Sequence, residues 1–163
     1  MTAFAGIFCP AGPEEALLEK MAGAFSERPT RSFAEGGGVG FLFSGDCTRI
    51  GGGAGGPHGL FMGWIQDGDA KGRPPEELFR EYGVHLGEKL RGSHALALYD
   101  REEGRLLLLR DCPGCLPLYY HVRSDGTLVF ATALALLFSA MEGKPRPDEE
   151  KLADLLLNEG QNY

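Results

Sequence analysis

The sequence lacks several features that would each place the chain in a well-defined class of proteins. No apolar run approaches the ~18 residues that a membrane-spanning helix needs. The first residues contain no basic stretch followed by an apolar segment of the signal-peptide kind. Lys and Arg number 16 against 23 Asp and Glu, so there is no excess positive charge to neutralise phosphates. We therefore expect a cytoplasmic protein with reduced cysteines that binds neither nucleic acid nor membranes.

The motifs of several common catalytic and cofactor sites are also missing. The glycine runs at residues 36–40 and 51–56 lack the Gly-Lys-Ser/Thr ending of a phosphate-binding loop, and we expect flexible loops there. The sequence contains no Gly-x-Ser-x-Gly motif. Residues 112–115, Cys-Pro-Gly-Cys, have the spacing of half a zinc site, which Cys9 and Cys47 could complete. Because a second Cys-x-x-Cys pair is missing, we favour reduced cysteines and expect no metal or cofactor in this domain.

What is present fits one globular domain of 163 residues, with 43% hydrophobic and 24% charged residues. Apolar runs and alternation predict strands over residues 3–8, 39–43, 60–66, 94–99, 105–110, 118–123 and 127–132. Helical spacing predicts helices over residues 13–25 and 75–90, and residues 133–141 are expected to cover a sheet. The last four strands follow one another closely, which predicts an antiparallel meander. The order of elements indicates an α+β layered domain.

A last helix is predicted after Arg146-Pro147, because Asp148 can cap the first turn of a helix. The three leucines Leu152, Leu155 and Leu156 are then expected to face inward.

Four stretches of the sequence resemble one enzyme family. The first eight residues, Met-Thr-Ala-Phe-Ala-Gly-Ile-Phe, are similar to Met-Cys-Gly-Ile-Ala-Gly-Ile-Phe, the start of a class II glutamine amidotransferase domain of the asparagine synthetase type. Residues 90–100 resemble the family's Leu-Arg-Gly-x-Phe-Ala-Phe-Ala block. Residues 110–120 and 128–132 resemble its Arg-Asp-x-x-Gly-x-x-Pro-Leu-Tyr-Tyr and Phe-Ala-Ser-Glu blocks.

The resemblance implies both a fold and a division of the chain. The fold would be the four-layer αββα sandwich of two antiparallel sheets that N-terminal nucleophile hydrolases share. Residues 1–145 would form the amidotransferase-like domain, and residues 146–163 a helix leading toward an absent synthetase domain. In that case the 163 residues are part of a longer chain or one subunit of a split enzyme.

The resemblance also implies the positions of the reacting groups, and two of them have changed. The family's nucleophilic cysteine corresponds to Thr2, whose α-amine would be exposed by removal of Met1 and could serve as its general base. The family's oxyanion-stabilising Asn-Gly pair corresponds to Met62-Gly63. A thioether cannot donate a hydrogen bond, so only the Gly63 backbone N–H remains. The neighbouring Trp64 could fill the space of the missing glutamine.

The substrate-binding motifs have changed as well. The family's Arg-Gly-Pro-Asp stretch has at best residues 28–31, Arg-Pro-Thr-Arg, in its place, and its Ser-Asp-Thr-Glu stretch has become residues 73–77, Arg-Pro-Pro-Glu-Glu. We therefore expect a degenerate domain without glutaminase activity. It would support an asparagine synthetase-like half that uses ATP and Mg to form an amide, as in β-lactam synthetases and lasso-peptide cyclases.

Two alternative functions are also compatible with these residues. In the first, Thr2 is an active N-terminal nucleophile that releases ammonia from glutamine. In the second, the chain is a free-standing docking subunit of a synthetase. The partner would be a synthetase domain, in the same chain or as a separate subunit, and a homodimer is also considered.

Overall fold

The computed structural model describes residues 2–12, 14–33, 38–51, 56–66, 72–143 and 145–157. The strands in chain order are β1 (Ala3–Phe8), β2 (Thr30–Phe33), β3 (Val39–Ser44), β4 (Cys47–Ile50), β5 (His58–Ile65), β6 (Gly92–Asp100), β7 (Arg105–Arg110), β8 (Tyr119–Val122) and β9 (Leu128–Ala131). The helices are α1 (Glu15–Ala22), α2 (Pro75–Tyr82), α3 (Leu86–Lys89), α4 (Leu134–Ala140) and α5 (Glu149–Leu157).

The strands form two antiparallel sheets. The first sheet has the order β2-β3-β1-β9-β8, and the second has the order β4-β5-β6-β7. Each sheet buries one face against the other sheet and the opposite face against helices. The α+β class and the two-sheet sandwich predicted above are confirmed.

Alternation along the strands builds three apolar layers. On β1, Phe4 points between the sheets, whereas Ala5 and Ile7 point toward the side covered by α1 and α4. On β6, Ala95 and Ala97 face the space between the sheets. The alternate β6 residues pack under α2 and α3. The result is a layer order of helices, sheet, sheet and helices.

One strand prediction is corrected by the topology. The four strands β6 to β9 do not form a single meander, since β6 and β7 belong to the second sheet and β8 and β9 to the first. The reason is the connection of eight residues, 111–118, which carries the chain from one sheet to the other. A tight turn of the Asp125-Gly126 kind would have kept the strands in one sheet.

Several smaller predictions are also corrected. The strands β2 and β4 were not expected, and the helix over residues 75–90 is interrupted at Gly83, whose φ is 54°. Asp148 does cap α5, because its side chain accepts a hydrogen bond from the Lys151 N–H at 3.1 Å. Leu152 is 45% exposed, so the prediction that it faces inward is wrong.

Other predictions fall on residues that are not described. The two glycine runs lie largely outside the described residues, as do the side chains of Leu155 and Leu156. Among the described helices, none is both long and apolar enough to span a lipid bilayer.

Candidate functional site

Thr2 is exposed at the beginning of β1, where it contacts the turn between β3 and β4. Its Oγ1 accepts a hydrogen bond from the Asp46 backbone N–H at 3.3 Å. Gly45 has a φ of 67°, and a Cβ at that position would lie 2.6 Å from Thr2 Oγ1. The turn therefore needs a glycine both for its backbone conformation and for its close approach to Thr2. Ser44-Gly45-Asp46 is a turn signal that sequence reasoning could have used.

Two hydrogen bonds to Thr132, the residue after β9, help to fix the position of the first strand. Thr132 Oγ1 accepts the Phe4 backbone N–H at 3.0 Å, and the Thr132 N–H donates to the Phe4 carbonyl at 2.9 Å. Thr132 is 6% exposed, so water competes little for these bonds. They hold the backbone two residues after Thr2 and so orient the N-terminal segment.

Cys47 is the thiol nearest to Thr2 along this chain of contacts, and it is poorly suited to replace a nucleophile. Its Sγ lies 3.6 Å from the Ala3 carbonyl and 3.5 Å from the Ser44 carbonyl, as a weak donor. Burial and the neighbouring Asp46 carboxylate raise the pKa of the Cys47 thiol to about 11, although the contact with Ser44 opposes the shift. Because the thiolate is the nucleophilic form, a thiol with this pKa is unreactive near neutral pH.

Met62 is linked to Thr2 through β4. Cys47 pairs with Met62 in the ladder between β4 and β5, one residue beyond the Asp46 N–H that bonds to Thr2. The Met62 side chain is only 7% exposed and packs in the apolar cluster between the sheets, with Leu60 and Ala95. Thr2 and Met62 are thus connected through Asp46 and Cys47.

Gly63 has a backbone conformation that favours glycine. Its φ is 110°, and a Cβ would collide with the Ser93 carbonyl and lie 2.7 Å from Leu116 Cδ1. Gly63 itself is exposed, whereas Met62 before it is buried. The β-strand therefore leaves a solvent-accessible backbone unit at Gly63, next to a buried side chain that cannot donate.

Asp111 anchors the loop that packs against Gly63, a role that sequence reasoning did not assign. Its carboxylate accepts the backbone N–H groups of Cys115 at 2.8 Å, His94 at 3.2 Å and Leu116 at 3.4 Å. Through these bonds it holds Leu116 over Gly63 and ties the loop to β6. The position of Asp111 inside an Arg-Asp block was the available signal.

The electrostatic state of Asp111 follows from these bonds. Burial alone would raise the pKa of this carboxyl, but hydrogen bonds from Ser93, Leu116, Cys115 and His94 outweigh it and hold the pKa below its usual range. Asp111 is therefore an ionised carboxylate that is only 2% exposed and is compensated by backbone donors.

In the two stretches that were predicted to bind substrate, arginine side chains form ion pairs with glutamates of the same domain. Arg31 forms an ion pair with Glu19, and Arg73 pairs with Glu81 at 2.7 Å. Residues 28–31 lie at the same end of the first sheet as Thr2, since Thr30 pairs with Phe43 on β3. A cavity of about 280 Å³ adjoins this stretch. Its lining includes Glu19, Phe25, Arg28, Pro29 and Arg31.

Trp64 does not act as a pocket filler. Its side chain is 55% exposed, so the indole is not enclosed by the protein. The prediction that Trp64 fills the space of a missing glutamine is wrong. The indole instead provides a fluorescent group beside Gly63.

Two histidines, His58 and His94, are buried, and His94 lies opposite Gly63 in the ladder between β5 and β6. Ser32 Oγ and His58 Nε2 are 2.7 Å apart and connect β2 to β5 across the two sheets. His94 stacks on Phe61 with a centroid distance of 6.5 Å, and its Nδ1 has no hydrogen-bond partner among the described residues. Burial lowers the pKa of both imidazoles, aided at His58 by Arg49 and opposed at His94 by Asp111. No cluster of three metal-ligating residues occurs within the described part of the chain.

Comparison with known families covers the second half of the chain. A family model for a glutamine amidotransferase domain matches residues 76–162, just over half of the chain. The matched segment runs from α2 past α5 and includes Asp111 and Leu116, whereas Thr2, Met62 and Gly63 lie before it. No curated protein matches the sequence.

Proposed function

The chain belongs to the glutamine amidotransferase domain family, and on that premise we propose that it is a degenerate member without glutaminase activity. It supports an asparagine synthetase-related enzyme that forms an amide in an ATP-dependent reaction. The synthetase partner is a domain of the same chain or a separate subunit, and it supplies the nucleotide and magnesium chemistry. The amine is then supplied by a substrate of that partner, because this domain releases no ammonia.

The observation that carries the proposal is the burial of Met62 directly before Gly63. Hydrolysis of an amide passes through a tetrahedral oxyanion, which preorganised donors must stabilise. The Gly63 N–H is one backbone donor, but the preceding side chain is a thioether enclosed in the core between the sheets. The loss of one such donor costs about 3 kcal/mol of barrier, roughly two orders of magnitude in rate.

The groups around Thr2 also favour a supporting role. The Thr2 hydroxyl is a weaker nucleophile than a thiolate at neutral pH. The neighbouring thiol of Cys47 has a pKa raised to about 11 and cannot take its place. The loss of reactivity at the nucleophile and at the oxyanion donor therefore occurs in one connected region.

A second candidate function is favoured by one contact. Thr2 Oγ1 acts as an acceptor toward the Asp46 N–H, which leaves the hydroxyl proton free to pass to the α-amine of a Met1-processed chain. In this alternative, Thr2 hydrolyses the side-chain amide of glutamine and releases ammonia to the synthetase partner.

Glutamine binding tests the proposal. Trp64 is the only tryptophan and adjoins Gly63, so its emission reports on a ligand at this position. We expect that titration of the Met1-processed protein with glutamine gives no saturable fluorescence change and no binding heat in calorimetry. Saturable binding that Thr2→Ala weakens would contradict the proposal and favour the active hydrolase.

A further inference from the structure

The two sheets end on the same side of the molecule in strands that no described strand covers. β7 is the last strand of the second sheet, and β8 is the last strand of the first sheet. β7 pairs only with β6, and β8 only with β9, among the described strands. Each outer edge therefore presents unpaired backbone N–H and C=O groups, which are a template for a further strand.

An apolar groove lies between these two edges, with a volume of about 350 Å³. The β7 wall consists of Leu106 and Leu108, followed by Arg110 on the same face of the strand. The opposite wall contains Leu118, at the end of the 111–118 connection, and Tyr120 of β8. The apolar residues of the groove continue directly into the cluster between the sheets, so the groove is the open side of that core.

Large apolar side chains at and beside the groove are exposed to solvent. Tyr120 is 67% exposed, and Val122, two residues further on the same face of β8, is 54% exposed. Edge strands of soluble proteins commonly carry charges or bulges that prevent pairing. β7 instead has four consecutive leucines between Arg105 and Arg110. A contiguous apolar surface beside two open strand edges is typical of a binding surface.

The charge at the groove selects for an anionic group. Arg110 has no carboxylate within ion-pair distance among the described residues, and its guanidinium lies about 3.1 Å from where a Gly114 Cβ would be. At the other end of β7, Arg105 already pairs with Glu103 at 2.9 Å. A guanidinium beside an apolar groove is suited to a bidentate contact with a carboxylate.

A second copy of this chain fits the groove poorly. Antiparallel pairing of β7 with itself over all six residues would place Arg105 opposite Arg110 at both ends, and like charges in opposed positions are destabilising. Each copy also carries a formal charge of -7. A short peptide with a single carboxylate avoids the opposed arginines and adds far less negative charge than a second copy does.

We propose that the groove between β7 and β8 binds an extended peptide segment as an added strand. The segment has apolar side chains at alternating positions, which enter the groove, and a carboxylate that pairs with Arg110. Backbone hydrogen bonds to an open edge provide affinity, and the pockets for alternate side chains provide specificity. The peptide thereby closes the open side of the core between the sheets.

A random-peptide phage library selected on the intact protein tests this proposal. We expect enriched sequences in which apolar residues alternate with polar ones and an acidic residue or free carboxylate lies at one end. The strongest peptide is then synthesised with a fluorescent label, and its affinity is measured by fluorescence anisotropy.

Two exposed positions provide variants that leave the fold intact, as checked by circular dichroism. Tyr120→Glu places a charge on the groove wall, and we expect it to weaken peptide binding by about tenfold or more, which corresponds to ~1.4 kcal/mol. Arg110→Gln should weaken the acidic peptide several-fold, but not the same peptide with its carboxylates converted to amides. Val84→Glu is the matched control, since Val84 is 60% exposed on the connection between α2 and α3, outside the groove.

Hydrogen exchange identifies the binding mode. Peptide addition should slow exchange in β7 or β8 and leave β2 and β4, the outer strands at the opposite ends of the sheets, unchanged. The proposal is overturned if no enriched peptide depends on Tyr120, or if protection appears only outside β7 and β8. It is also overturned if sedimentation shows a dimer that Tyr120→Glu dissociates, because a second copy is then the occupant.

Discussion

Cys47 lies directly opposite Met62 in the antiparallel ladder between β4 and β5. The pair joins a thiol whose pKa is raised to about 11 and a buried side chain that cannot donate a hydrogen bond. Thr2 is connected to the pair by the hydrogen bond from Asp46, the residue before Cys47. Substitutions at the predicted nucleophile and oxyanion positions therefore lie in one structural unit.

The first prediction concerns the reactivity of Cys47. In a variant with the other three cysteines changed to serine, we expect alkylation by iodoacetamide to be slow at pH 8, because a thiol with a pKa of about 11 is ionised to only about one part in a thousand. The rate should rise about tenfold for each pH unit up to pH 10. Free cysteine under the same conditions is the reference, and a similar rate for the two thiols would contradict the burial of Cys47.

The second prediction concerns Gly63. Gly63→Ala should lower the free energy of unfolding by about 3 kcal/mol, since the new Cβ meets the Ser93 carbonyl in a backbone conformation that L-residues avoid. Gly104→Ala is the matched control. Gly104 has a φ of 63° and no atom within 4 Å of its added Cβ, so it should lose only ~1–2 kcal/mol. Urea denaturation measures both, and equal losses would contradict the close approach of Gly63 to the Ser93 carbonyl of β6.

The third prediction concerns Asp111. Asp111→Asn should destabilise the protein by about 2 kcal/mol at pH 7, because an amide is a weaker acceptor for the three backbone N–H groups than a carboxylate is. The difference from wild type should shrink as the pH falls through the lowered pKa of Asp111, where the wild-type carboxyl is protonated.

Asp100→Asn is the control for Asp111. Asp100 also accepts two backbone N–H groups, from Glu102 at 3.0 Å and Glu103 at 3.3 Å, but at an exposed turn. We expect a loss below ~1 kcal/mol there. A loss as large as that of Asp111→Asn would indicate that burial of the carboxylate contributes little.

The fourth prediction is a pH dependence set by the buried histidines. Burial lowers the pKa of His58 and His94 in the folded protein, so the unfolded chain binds more protons below about pH 6.5. Stability should therefore be independent of these groups above pH 6.5 and should decrease as the pH falls toward the folded pKa values. His94→Gln should reduce this decrease in urea denaturation series. A decrease of the same size in His94→Gln as in the wild type would contradict this contribution of His94.

Much of the fold could be predicted from the sequence because the relevant signals are local. β1 and β7 begin and end at the predicted residues, as apolar runs bounded by turn residues or charges. β2 and β4 carry no such signal, since Arg31 and Arg49 lie in short strands whose residues are mostly exposed. These strands form because β3 and β5 offer open edges, which is a non-local cause.

The site follows from the sequence only through the family resemblance. That resemblance indicated Thr2, Met62 and Gly63 as the relevant positions, and their roles stay predictions. The role of Asp111 depended on three N–H groups from two separate segments, one of them β6, and no spacing in the sequence reveals that convergence. Trp64 was assigned to a pocket because of its position after Gly63, but its side chain is 55% exposed.

The measurement that tests the central claim most directly is glutamate release from glutamine by the Met1-processed chain, compared with Thr2→Ala. Intact mass confirms beforehand that Thr2 is the first residue. The account predicts that the two proteins release glutamate at the same rate as the protein-free blank. Turnover by the wild type that Thr2→Ala abolishes would show that this domain is an active amidohydrolase.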